Sequence, residues 1–159
     1  MSTAVPVIRD ADEGERRQFW GGGLLTIKAS AEETGGSLFI FEDQMVKGKV
    51  TPLHSHNEDE VLYVLEGEIV VHVAGAEHRL GRNGIAFAPR GTPHAFMVAS
   101  ETARVLTVLT PGSAAGFYMA ASEPAEAGAG ADGPVDFARV GQAAESSGGM
   151  QLLGPPPFS

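Results

Sequence analysis

The chain has no cysteine among its 159 residues. Disulfides, thiolate metal ligands and a cysteine nucleophile are thereby excluded. No apolar run is long enough to span a membrane. The start, Met1-Ser-Thr-Ala-Val-Pro6, lacks the basic and apolar regions of a secretory signal, so a cytoplasmic location is expected. Basic residues are scarce: 11 Lys and Arg stand against 20 Asp and Glu, a net charge of −9. A chain so charged repels a phosphate backbone or an anionic lipid surface, so neither nucleic acid nor membrane is an expected partner. Long helical patterns are also missing. The length suits one domain over residues 1–159, with enough chain to bury a core.

What is present is a succession of short strand-like runs. They are Leu24–Lys28, Ser37–Phe41, Val61–Leu65, Ile69–Val73, Ile85–Ala88, His94–Val98 and Arg104–Leu109. Turn clusters separate them: Trp20-Gly-Gly-Gly23, Thr34-Gly-Gly36, Ala74-Gly-Ala76, Gly81-Arg-Asn-Gly84 and Pro89–Pro93. Many short strands with no intervening helix predict an all-β, antiparallel sandwich or barrel. Residues 37–111 are its expected core, preceded by N-terminal strands and turns over 1–36. The remainder, 112–159, reads as a flexible loop (Ala120–Gly133), a short helix (Pro134–Ser146) and an apolar tail. In that helix Pro134 suits the first turn and Asp136 the positive end of the dipole. Phe137, Val140 and Ala144 share a face, and Gly148-Gly149 stops it. The tail, Leu152-Leu-Gly-Pro-Pro-Pro-Phe158, is apolar enough to dock on the barrel.

The segment Gly48–Gly67 concentrates the chemistry. His54, His56 and Glu60 share parity with Leu62 and Val64, so one strand–turn–strand unit can aim all three polar groups into one interior. His94 follows the turn Pro89–Pro93. Three imidazoles and a carboxylate suit a divalent transition metal. Glu58 and Asp59 are rival carboxylates; Glu60 ranks first because it adjoins the strand Val61–Leu65. A lone histidine is more often a surface or satisfied core residue than a ligand, and His72 and His78 are read that way.

The run matches G-x5-H-x-H-x3-E-x6-G at every position, which resembles the first motif of the cupin superfamily. Gly84–His94 resembles the second, with Pro89, Gly91 and His94 in place. It departs in two ways: its first glycine is one residue closer to Pro89, and Val98 stands where Asn is frequent. The resemblance implies a double-stranded β-helix, a jelly-roll barrel with a short C-terminal helix, and a metal held inside by His54, His56, Glu60 and His94. Thr34-Gly-Gly36, Tyr63–Gly67, Pro89–Phe96 and the Pro-rich tail are further similar to single-domain cupins related to quercetin 2,3-dioxygenases. That implies an enzyme using one divalent metal (Ni, Co, Fe, Mn, Cu or Zn) and O2 to cleave a flavonol or similar enolic small molecule, with Glu60 as ligand and base. It also implies a homodimer. Phe39, Phe41, Leu53, Phe96 and Met97 are candidates for the pocket wall. Two other readings stay open: a redox-neutral cyclase or isomerase, and a non-catalytic binding cupin.

Overall fold

A two-residue alternation governs the central strands, broken only at Glu42, which is buried on the opposite face. The computed structural model describes residues 3–158. In β3 (Phe39–Val46) the residues Phe39, Phe41, Asp43 and Met45 are buried. In β5 (Asp59–Glu66) Glu60, Leu62 and Val64 turn inward. In β10 (Thr102–Thr110) Ala103, Val105, Thr107 and Leu109 do so. A period of two places one set of side chains on one face, and that face becomes the core wall. β10 lies between β3 and β5, antiparallel to both.

The other strands complete two sheets. They are β1 (Glu15–Phe19), β2 (Leu24–Ala29), β4 (Leu53–His56), β6 (Ile69–Val73), β7 (Ala76–Leu80), β8 (Ile85–Ala88), β9 (His94–Val98), β11 (Ser122–Pro124) and β12 (Met150–Gly154). One sheet runs β11-β1-β2-β3-β10-β5-β8 and the other β12-β4-β9-β6-β7, and neighbouring strands are antiparallel. The two form the double-sheet barrel expected from the sequence. A motif glycine closes the β5–β6 turn: Gly67 has φ +82°, and a Cβ there would lie 2.3 Å from the Thr102 carbonyl oxygen. Only glycine meets both demands.

Two apolar clusters fill the interior. One gathers Phe39, Phe41, Leu109, Tyr118 and Val140; the other gathers Leu62, Val64, Ile69, Val71 and Val105. Phe39, a member of the first cluster, is 1% exposed and supports the core. Burying one such ring contributes about 2–3 kcal/mol.

Outside residues 37–111 the chain is more ordered than its composition suggests. β1 lies in the weakly patterned N-terminal segment and pairs with β2 and β11. The stretch read as a loop from Ala120 to Gly133 contains β11, preceded by α1 (Ala115–Ala120), whose Phe117 and Tyr118 are buried. β7 has no buried residue, so no inward set marks it as a strand. The C-terminal helix α2 spans Phe137–Ser147. It starts later than Pro134 because Asp136 caps it, its Oδ1 accepting from the Arg139 N–H at 3.1 Å. Val140, Ala143 and Ala144 are its buried face, whereas Phe137 is 48% exposed. Gly148, at φ +67°, ends it. The tail docks as a strand: β12 pairs with β4. No helix among the described residues is long and apolar enough to cross a membrane.

Candidate metal centre

Four side chains converge between the sheets. His54 and His56 come from β4, His94 from β9 and Glu60 from β5. All four residues are buried, and one donor atom from each lies within 4.8 Å of the others. His54 and His94 are direct antiparallel partners. Glu60 reaches the imidazoles from the facing sheet.

Backbone carbonyls orient every ring. The Nδ1 of His54 is 2.7 Å from the Pro52 oxygen, that of His94 2.8 Å from the Thr92 oxygen, and that of His56 3.1 Å from the Glu58 oxygen. A carbonyl only accepts, so each Nδ1 carries the proton and donates. Each Nε2 is left for the cluster, the arrangement that fixes a metal-binding tautomer. His94 Nε2 lies 2.6 Å from Glu60 Oε2, and His56 Nε2 lies 3.4 Å from the same oxygen. His56 Nε2 is buried without a hydrogen-bond partner. An orphaned imidazole nitrogen facing two others and a carboxylate fits a divalent cation. The donor set, three nitrogens and one oxygen, suits a transition metal rather than calcium or magnesium.

The charges agree with this geometry. Burial, followed by the charge of His94, brings the His54 pKa down to about 4. Burial acts the same way on His94, but the charge and hydrogen bond of Glu60 outweigh it and the net shift is upward. Burial alone would raise Glu60; the charge of His94, its hydrogen bond and the nearby His56 overcome it and hold the carboxylate ionised. The rival carboxylates lie outside the four donors. Asp59 accepts from the Arg90 backbone N–H at 2.9 Å and pairs with its guanidinium. Glu58 is buried beside the cluster, outside the four donors, with its pKa raised by burial. His72 packs edge-on against Phe158 and His78 is exposed; neither joins the cluster.

The cluster opens into a cavity of about 640 Å3 of empty space, counted out to its mouth. Its enclosed part is much narrower than that total. Phe41 and Phe96 line it; Phe39, Leu53 and Met97 do not. Phe39 sits in the core behind Phe41 and touches its ring, 5.4 Å between centroids. Leu53 lies one residue out of phase with His54, so it faces away from the donors. Met97 is likewise out of phase with Phe96 on β9. The cavity also has walls that the sequence reading did not single out: Asp43, Lys49, Thr107 and Tyr118. Asp43 was legible in principle, because it continues the inward parity of Phe39 and Phe41. Lys49 directly follows the motif glycine but carries no periodic signal. Phe137, Val140, Met150 and Leu152 close the cavity from α2 and β12.

Comparison with known proteins agrees with this architecture. The family profile described as a Cupin domain matches residues 41–109. The quercetin 2,3-dioxygenase of Bacillus subtilis is 30% identical over 121 residues, which cover 76% of this chain and 36% of that protein. An uncharacterized protein of Streptomyces coelicolor is 34% identical over 56 residues, 35% of this chain and 53% of the relative. The chain therefore matches about a third to a half of the length of these relatives. An RmlC-like cupin from Shewanella frigidimarina superposes with a TM-score of 0.59 at 21% identity, covering 65% of this chain and 89% of that one. Oxalate decarboxylase from Bacillus subtilis superposes at 0.51 and 21% identity, covering 65% of this chain and 31% of that one. The structural likenesses speak to the fold. The matched Cupin profile, the relative named quercetin 2,3-dioxygenase and the paired motifs identify residues 41–109 as a cupin domain.

Proposed function

We propose that the chain is a metal-dependent dioxygenase of the quercetinase kind, cleaving a flavonol or similar enolic aromatic with O2. The observation that carries this reading is the convergence of His54, His56, Glu60 and His94, of which His54, Glu60 and His94 border a largely apolar cavity. The relative named quercetin 2,3-dioxygenase supports the choice among cupin reactions. A divalent transition metal held by these four residues (Ni, Co, Fe, Mn, Cu or Zn) would acidify an enolic hydroxyl and support dioxygen chemistry.

The chain's own groups then have definite tasks. The Pro52, Glu58 and Thr92 carbonyls hold the rings so that no reorientation is needed on binding. Glu60 takes the proton of the substrate's enolic hydroxyl: the substrate O–H bond breaks and a carboxyl O–H bond forms. Phe41, Leu62 and Phe96 supply apolar surface against a flat ring and keep water from the site. In this reading O2 is the oxidant, and the heterocycle opens with release of carbon monoxide.

Protein loaded with each of the six metals, incubated with flavonols, is expected to consume O2 and release carbon monoxide in equal amounts with at least one metal. Glu60→Gln is expected to lower the rate by about 10²–10⁴-fold. Absence of O2 uptake in all six forms overturns the reading. Conversion without O2 would instead identify a redox-neutral cyclase or isomerase, and binding without conversion a non-catalytic cupin. The same reading includes a homodimer, paired through the free edge of β8, where Ile85 and Phe87 are 58% and 56% exposed. Sedimentation as a monomer would remove it.

A further inference from the structure

Away from the four donors, the cavity wall carries two more ionisable groups. Lys49 precedes β4 and is 4% exposed; Asp43 lies on β3 and is 5% exposed. Both line the same cavity as His54, Glu60 and His94. The Lys49 ammonium donates to the Gly22 carbonyl at 2.8 Å and lies over the Phe19 ring, 4.5 Å from its centroid. Phe96 lies 5.8 Å from it on another side. The Gly22 bond uses one of its three N–H donors. Asp43 Oδ1 is buried and has no hydrogen-bond partner.

A buried charge serving stability alone would be expected to satisfy its hydrogen bonds within the protein. The next residue on β3 does so: Glu42, on the opposite face, accepts from Arg104 Nε at 2.6 Å. Asp43, on the cavity face, has no such partner. Lys49 offers spare donors and Asp43 a spare acceptor, between aromatic walls. A hydroxyl accepts and donates through a single oxygen, so a ring-borne hydroxyl between aromatic walls matches this pair.

We propose that Lys49 and Asp43 form a second polar anchor, which holds a phenolic hydroxyl of a flat aromatic substrate whose other end meets the His54–His56–Glu60–His94 cluster. This deepens the dioxygenase reading and rests on the same cavity, but it is tested without turnover. Burial pushes the Asp43 carboxyl up and the Lys49 ammonium down. A ligand hydroxyl that hydrogen-bonds to both relieves a cost the empty fold carries.

Phenol and toluene, nearly equal in shape, are titrated into metal-free protein and followed by NMR. Phenol is expected to bind about tenfold more tightly than toluene, the worth of one hydrogen bond to a charged group. Lys49→Met and Asp43→Leu should each lower the preference for phenol over toluene, and the double variant should abolish it. Toluene binding by the variants reports that the cavity has survived. Should a single variant fail to fold, the double variant Asp43→Leu/Lys49→Met, which leaves no unpaired charge, takes its place. Equal binding of phenol and toluene, no phenol binding, or a preference undiminished in the variants would each overturn the anchor. Zinc-loaded protein adds a second arm. The substitutions should weaken kaempferol, which has hydroxyls on its outer rings, about tenfold and spare 3-hydroxyflavone; equal losses for both would count against the anchor. A retained phenol preference without flavonol turnover would keep the anchor and remove the quercetinase assignment.

Discussion

The two sheets supply the cavity with different chemistry. The five-stranded sheet contributes imidazoles: His54 and His56 on β4, His94 on β9. The seven-stranded sheet contributes carboxylates: Asp43 on β3 and Glu60 on β5. Glu60 crosses the interior to hydrogen-bond with His94, whereas the unpartnered Asp43 Oδ1 has no such contact. Inward parity sets which residues enter the cavity, and the facing wall decides what each one becomes. The carboxylate opposite the imidazoles joins a group that could hold a metal; the other is left to share the wall with Lys49, a cation from outside both sheets.

The largest expected effect breaks the imidazole wall. Protein purified without added metal should carry about one metal ion per chain by elemental analysis, and His54→Ala or His94→Ala should carry almost none. Equal content in all three proteins would leave the cluster without a metal.

Next comes the opposite wall. Lys49→Ala leaves Asp43 with no cation near it and is expected to cost about 3 kcal/mol in urea unfolding. Asp43→Leu/Lys49→Met should restore most of that loss, because well-packed apolar residues often replace buried charges at little cost. If the double variant is as unstable as the single one, the pair is structural.

A similar effect belongs to pH in metal-free protein. Burial lowers the His54 pKa to about 4, below the unfolded value of about 6.5. The unfolded state therefore binds the extra proton first. Stability from the neutral ring is complete above about 6.5 and is lost as pH falls towards 4, by about 3 kcal/mol. His94, shifted upward, acts in the opposite sense: its contribution is present at low pH and fades as pH rises through its folded value. Urea melts across this range in wild type and His54→Phe should separate the two, with the acid loss shrinking in the variant.

The smallest effect concerns the cover over both walls. Asp136→Ala removes the cap of α2 and should cost about 1 kcal/mol, read from the thermal midpoint.

The donor cluster was legible because its spacing and parity are local: a strand, a bend and a strand bring three ligands into register within seven residues. Glu60 could be preferred over Asp59 on the same ground, and Arg90 now explains where Asp59 is directed. The jelly-roll was legible from regularly spaced turns. The far wall was not, since it depends on where β3 ends, and the expected strand stopped at Phe41, two residues short of Asp43. Phe39 and Phe41 have the same parity, yet only Phe41 borders the cavity; that distinction belongs to depth in the barrel, which no period reports. α1 and β11 escaped notice because six- and three-residue elements are too short to show a pattern.

The pairing of β12 with β4 has a consequence for how the site is made. His54 and His56 lie on a strand whose neighbour on one side is residues 150–154. During synthesis both histidine-bearing motifs leave the ribosome some 56 residues ahead of Met150. Until then one flank of the ligand strand has unpaired backbone groups, and the cavity lacks the wall given by Met150 and Leu152. A nascent chain can thus present its four donors to cellular metal before the pocket has closed around them.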